Sequence, residues 1–376
     1  MTQTQDQERL LSWARSLAIS SPDADVFQPK SSSSVYEELR CECFNFLIDN
    51  TNLDLNQFNP LSKVTAGNPW AKQYDNQNKL SEIKLDVDRT YQEMDFFSKN
   101  NDNHKALINV LFTFTKTHKL DYRQGMNEIC AILFLVVTRG LPESASLDQK
   151  ESVTYEMFSA FMMRFGYADM FYQSSVLGHP IVDSANPTSP LLSRCEKVFE
   201  LLHVKDSRLH KHLVTHDISP NLFLVRWIRI MFAREFPFNQ TLDVWDFIFS
   251  HLPVGKPLPY PSIIDYLAIA MIINIRIELL QSDNSGCFSR LLKYSKLSSV
   301  DALLDLAIQV RDNGDLPKPS PVIQSAVVNQ PMVVTRRDKI IGDLTGVVAD
   351  LKNSECNKQI SLSISKLEEI ITFIKK

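Results

Sequence analysis

Apolar residues recur at intervals of three to four through nearly every greasy stretch of this 376-residue chain. That spacing gathers them on one face of a helix and leaves little text for strands, whose period is two. In "HKALINVLFTFTK" the stripe runs through Ala106, Leu107, Val110, Leu111 and Phe114. In "SPLLSRCEKVFELLHV" it runs through Leu191, Leu192, Cys195, Val198, Phe199 and Leu202, behind a Ser-Pro pair that suits a helix start. "SPNLFLVRWIRIMFAREF" predicts another helix, with Ser219 as N-cap and Pro220 at its first position, and "TLDVWDFIFSHL" and "PSIIDYLAIAMIINIRIELL" continue the pattern. Ten glycines is far below the usual ~7%. Such scarcity speaks against a barrel or sandwich rich in tight turns. An all-α, multi-helix fold is expected.

The same scarcity removes function classes. Neither GxxxxGK[ST] nor GxGxxG occurs, so the chain is not expected to cradle a nucleotide of its own. Net charge is −4 with both signs interspersed, and basic groups such as Arg336-Arg337 are isolated, so nucleic acid is not an expected partner. Cys41, Cys43, Cys130, Cys195, Cys287 and Cys356 show no CxxC spacing and read as reduced thiols of a cytosolic protein. The first twenty residues lack a signal-type apolar run, and "YLAIAMIINIRIELL" is interrupted by Asn274 and Arg276. With no lipidation signal at either end, the expectation is a cytoplasmic protein that reaches membranes through partners, without direct insertion.

Composition divides the chain into four parts. Residues 1–34 read as a short amphipathic helix and a Ser-rich linker, with "PKSSSSVY" (Pro29 to Tyr36) as its flexible text. Residues 35–312 form the helical body, and 313–335 a Pro-containing linker, "GDLPKPSPVIQS" and beyond. Residues 336–376 carry two amphipathic helices, one striped by Ile340, Ile341, Leu344, Val347, Val348 and Leu351, the other by Ile360, Ile364, Leu367, Ile370, Ile371 and Ile374.

Few residues could carry chemistry. His203, His210, His212 and His216 crowd one stretch, but no HExxH or cysteine accompanies them, and a helix with solvated histidines is the commoner case. There is no GxSxG, and no cysteine has a dedicated histidine. Two junctions are more informative. In "SEIKLDVDRTYQEMDFF" a helix is expected to end near Asp86, and Thr90 with Glu93 has the form of a capping box that would start another. Arg89 then sits at the junction, where the bland reading is a surface ion pair with Asp86 or Glu93. In "DYRQGMNEI" a helix ends near Thr117, Gly125 permits a turn, and a new helix begins near Asn127, so Gln124 is presented at a second junction. An arginine can neutralise charge on a transferring phosphoryl group, and a glutamine can align an attacking water.

At these residues the sequence resembles the TBC domain, the family of Rab GTPase-activating proteins. The family's IxxDxxRT matches Ile83, Asp86, Arg89 and Thr90, and its YxQGM matches Tyr122, Gln124, Gly125 and Met126. "RLHKHL" resembles the LxxHL element through Leu209, His212 and Leu213, and "LDVWDFIF" the WD segment through Trp245 and Asp246. The resemblance covers roughly residues 35 to 312, with Arg40 and Phe44 where the family has RxxxW and "SHLPVG" where a glycine often follows the WD segment. Within the family, "NPLS" (Asn59 to Ser62), "RTYQEMDFF" and "RWIRIMFAREFP" look most like the subfamily of TBC domain family member 5, whose members act in endosomal trafficking, bind the retromer coat and act on the late-endosomal Rab.

The resemblance implies a dual-finger activator, not an enzyme by itself. Arg89 and Gln124 would act in trans on a Rab-family GTPase, stabilising charge between the β- and γ-phosphates and positioning the hydrolytic water. Asp86, Thr90, Tyr122, Gly125 and Met126 would support the loops or touch the Rab. Trp227, Arg229, Trp245 and Asp246 are expected as packing or buried polar structure. No metal or cofactor of its own is implied, since GTP and Mg²⁺ belong to the GTPase. Retromer-type coat components would be further partners, at endosomal membranes. The alternative is a non-catalytic Rab-binding or retromer-type adaptor with the same fold.

Overall fold

The computed structural model describes residues 3–19, 69–99, 101–172, 189–294 and 296–312. Among them it holds thirteen α-helices joined by short helical turns, and no strand, so the all-α reading is correct. The Pro29–Tyr36 link, Arg40 and Phe44, the "NPLS" segment, the 313–335 linker and both C-terminal stripes lie outside the described residues.

In chain order the helices are α1 (Gln3–Ser16), α2 (Pro69–Val87), α3 (Asp102–Thr117), α4 (Met126–Gly140), α5 (Leu147–Ser159), α6 (Pro190–Lys205), α7 (Ser207–Thr215), α8 (Leu224–Arg229), α9 (Phe238–Ser250), α10 (Ile263–Asn274), α11 (Arg276–Leu280), α12 (Asn284–Leu292) and α13 (Asp301–Arg311). Local chemistry sets many of their starts. Asn101 caps α3 by accepting from the Asn103 N–H, Ser189 caps α6 ahead of Pro190, and Ser146 with Gln149 closes a full capping box on α5.

Two helices are apolar nearly all round and are buried accordingly. In α4 every residue from Ile129 to Val137 is buried, and in α10 every residue from Ile263 to Ile273 except Tyr266. Helix α4 packs on α1, α3 and α5, while α10 packs on α13, α6 and α8. Each Leu, Ile or Phe withdrawn from water contributes about 1.5–3 kcal/mol, so α4 is a fixed axis. Its first turn begins immediately after Gly125.

Helix α1, which the sequence sets apart in residues 1–34, has its apolar face in the same core. Leu10, Trp13 and Leu17 are buried. Arg9 Nε donates to both Asp246 oxygens at 3.0 and 2.8 Å, Trp13 Nε1 donates to Asp246 Oδ1 at 2.7 Å, and the Trp13 ring lies 5.5 Å from that of Trp245. Gly140 permits the crossing: a Cβ there would stand 2.7 Å from Leu10 Cβ.

Two expectations need correction. No helix begins at Thr90. After α2 the chain runs through turns from Asp88 to Met94 into a short 3-10 turn at Asp95–Phe97, because the Thr90 hydroxyl donates backwards to the Asp86 carbonyl at 2.7 Å instead of capping forwards. Nor is "SPNLFLVRWIRIMFAREF" one helix. Pro220–Leu222 is a 3-10 turn, α8 stops at Arg229, and Met231 and Phe232 take left-handed φ of 48° and 61°. Left-handed backbone costs a non-glycine residue about 1–2 kcal/mol. It is offset here by complete burial of both side chains, by Trp245 Nε1 donating to the Met231 carbonyl at 2.9 Å, and by the Arg226–Glu235 pair at 2.7 Å.

Candidate functional site

The turn after α2 and the loop before α4 carry Arg89 and Gln124. Arg89 is 57% exposed, and its Nη2 lies 2.5 Å from Asp86 Oδ1, a carboxylate itself only 7% exposed. The bland ion pair therefore exists, but with a buried acceptor that has a second partner. Tyr122 Oη donates to Asp86 Oδ2 at 2.9 Å. Asp86 thus holds the arginine with one oxygen and the glutamine loop with the other.

Asn127 completes the link. Its Oδ1 accepts from the Gly125 N–H at 2.9 Å and lies 3.0 Å from Tyr122 Oη, while its Nδ2 donates to Thr90 Oγ1 at 2.8 Å. Asp86, Thr90, Tyr122 and Asn127 are all buried, so these bonds form away from water. Each nets about 0.5–1.5 kcal/mol, but a buried group left without its partner costs about 1–3 kcal/mol. Breaking one link therefore loosens both loops. Burial and the neighbouring Asp86 carboxylate push the Tyr122 phenol far above its ordinary range, so it stays a neutral donor.

Gly125 fixes the glutamine. Its φ of +105° is a conformation that side chains resist, and a Cβ there would meet Ile230 Cγ2 at 2.9 Å and Phe171 Cε1 at 3.3 Å. Both backbone and space demand glycine. Gln124 is exposed beside it, whereas Met126 is fully buried at the head of α4. Of the five residues expected to support the loops or touch a partner, Asp86, Thr90, Tyr122 and Met126 have buried side chains, and Gly125 has none.

The broken helix after α8 props the other side. Ile230 rests on Gly125, the Tyr91 hydroxyl lies 3.4 Å from the Ala233 carbonyl, and Arg234 Nη2 donates to Glu128 Oε1 at 2.8 Å. The Arg234 guanidinium also covers the Tyr91 ring at 4.1 Å. That contact anchors Tyr91, whose φ of +43° turns the chain just past Arg89. Burial pushes the Glu128 carboxyl above its ordinary value, against the pull of Arg234. One turn earlier, Asp88 accepts from Lys99 Nζ at 2.8 Å and lies 2.9 Å from His104 Nε2. Those hydrogen bonds, Lys99 first, hold its carboxyl below the usual 3.8.

Other residues from the sequence serve the scaffold. His212 Nε2 lies 3.2 Å from the Ser282 carbonyl and Leu209 and Leu213 are buried. No group of three His, Cys, Asp or Glu side chains among the described residues is placed to hold a metal ion. Trp245 pins the strained turn and Asp246 holds α1. Asn127, Glu128 and Arg234 escape a reading by motif. The one signal for Asn127 is an amide on the buried face of an otherwise apolar helix.

Residues 37–280 match the model of the Rab-GTPase-TBC domain family. The chain belongs to that family. It is 28% identical over 294 residues to TBC1 domain family member 5 of Homo sapiens, an alignment covering 71% of this chain and 36% of the relative. To TBC1 domain family member 5 homolog B of Dictyostelium discoideum it is 25% identical over 389 residues, covering 74% and 37%. The chain thus spans about a third of the length of these relatives. Its fold resembles the crystal structure of the Ypt/Rab-GAP domain of Gyp1p with a TM-score of 0.56 at 14% identity, covering 83% of this chain and 92% of that one. Among the described residues no helix is long and apolar enough to cross a membrane.

Proposed function

We propose that this TBC-domain chain accelerates GTP hydrolysis by a Rab-family small GTPase, supplying Arg89 and Gln124 in trans. One observation carries the reading: the exposed arginine and the exposed glutamine stand on two loops that buried hydrogen bonds, Asp86 to Tyr122 and Thr90 to Asn127, tie together. A generic scaffold has no need of such a tie between two solvent-facing polar residues.

Chemically, the loose transition state of phosphoryl transfer spreads charge over the transferring group, and hydrolysis also requires an oriented water. Arg89 must leave Asp86 to meet that charge. Its exposed stem allows this, and Tyr122 goes on satisfying the carboxylate it leaves. Gln124, fixed by the left-handed Gly125, offers a carbonyl and an amide to the water. GTP and Mg²⁺ are the GTPase's own, and this chain's part is position and charge. Recruitment to endosomal membranes through retromer-type coat components is a further part of the proposal, resting on what the sequence resemblance to the member 5 subfamily implies.

The test is single-turnover hydrolysis across a panel of GTP-loaded Rab proteins, with wild type, Arg89→Lys and Gln124→Ala in parallel. Strong stimulation of one or two Rabs is expected, falling by ~10³-fold or more in the arginine variant. Binding without stimulation would place the chain among adaptors instead.

A further inference from the structure

Folding buries or half-buries several arginines among the described residues, and nearly all are answered by a carboxylate. Arg9 has Asp246, Arg194 has Asp265, Arg234 has Glu128, Arg276 has Asp206 and Arg290 has Glu278. Arg229, the last residue of α8, is the exception. Its Nε is buried with no hydrogen-bond acceptor, and among the described residues no carboxylate pairs with it. Burial draws its guanidinium below the ordinary arginine value, with only the Cys195 thiol opposing. Sequence reasoning groups this residue with the packing and buried polar structure, but among the described residues the charge has no counterpart. A cation held half out of water without a partner is a cost that a neutral side chain of the same length would avoid.

Its position gives that cost a use. Arg229 Cδ would lie 3.9 Å from a Cβ on Gly125, beside Ile230 and Phe171, so the stem runs along the loop that presents Gln124. Arg89 is exposed and can extend outward, whereas Arg229 is half-buried with its Cδ against the Gly125 turn, so an anion must be brought to it. The planar fork suits a carboxylate, and an ion pair closed off from water on docking is stronger than one at the rim.

We infer that Arg229 is a docking residue, receiving an Asp or Glu side chain of the GTPase as it seats against the Gln124 loop. The inference rests on the activator reading and adds to it the chemistry of the contact. On a GTPase that wild type stimulates, hydrolysis is measured against activator concentration for Arg229→Met, Arg229→Gln and Arg229→Lys, alongside melting temperature. The half-saturating concentration is expected to rise at least ~10-fold in the Met and Gln variants, with partial recovery in Lys. The saturated rate should stay within about twofold. The melting temperature should hold or rise, since an uncompensated charge has gone. An Asp→Asn and Glu→Gln scan of the GTPase surface should find one position that reproduces the loss and adds nothing to Arg229→Met.

Unchanged half-saturation overturns the inference, whatever happens to melting. A fall in saturated rate alone also overturns it, because the charge would then serve the nucleotide phosphates. Wild type inert on every GTPase would remove the activator reading itself, and this inference with it, which is distinguishable from a defect confined to the Arg229 variants.

Discussion

Gly125 shows how one missing side chain positions another. A methyl group there would be strained twice, by a φ of +105° and by the 2.9 Å approach of Ile230. Gly125→Ala is expected to cost roughly 1–3 kcal/mol in denaturant unfolding. Stimulation of the GTPase should fall further than that loss explains, because the strain displaces Gln124. A variant as stable and as active as wild type would show that the loop can shift without consequence. Arg89, Gln124 and Gly125 stand in polar breaks after helices, but the residues alone left Arg89 open to a plain ion pair with Asp86, and it was through the resemblance that the three were legible as a candidate site. Asn127 was not. An amide inside an apolar helix looks like a local irregularity until the fold brings Thr90 to within 2.8 Å of it.

At the scale of the element, apolar periodicity located the long helices well, since a stripe reports the face that must be buried. It failed where two short elements meet. The run from Ser219 to Phe236 keeps a helical period through Ile230, Met231 and Phe232, yet the chain turns there. Packing of Met231 and Phe232 and the carbonyl bond from Trp245 outweigh local preference, and neither is visible in the run itself. Helix α1 teaches the complementary lesson, because its amphipathic stripe does not say what it covers. Trp13 lies among Trp245 and Phe249 and holds Asp246. Trp13→Ala should therefore cost about 3–5 kcal/mol, equivalent to a fall in melting temperature of about 2–4 °C per kcal/mol for a domain of 150–250 residues and somewhat less for a larger one. Thermal melting of the full chain checks this, and a shift near zero would mean that α1 is dispensable to the core.

Across the whole molecule, the described helices converge on holding two loops in one arrangement. Helix α2 ends in the Arg89 turn, α4 starts from the Gln124 loop, and the turn after α8 braces both through Tyr91, Gly125 and Glu128. Asn127, like Asp86, bonds to both loops, so it tests whether Arg89 and Gln124 work as a unit. Asn127→Ala leaves the Gly125 N–H without its partner and removes one of the two hydrogen bonds of Thr90 Oγ1, at a cost of about 1–3 kcal/mol to the fold. If the loops act independently, stimulation should fall only as far as the unfolded fraction requires, and GTPase docking should weaken in proportion. If they act together, the saturated hydrolysis rate should fall ~10-fold or more in fully folded protein, while the half-saturating concentration stays nearly constant, because the exposed docking surface is intact. Removing Arg89 in the Asn127→Ala background should then cost less than removing it from wild type, since a misaligned glutamine leaves the arginine less transition state to stabilise. Single-turnover rates for the two single variants and the double variant measure that coupling directly, and strict additivity would reduce Asn127 to a structural residue.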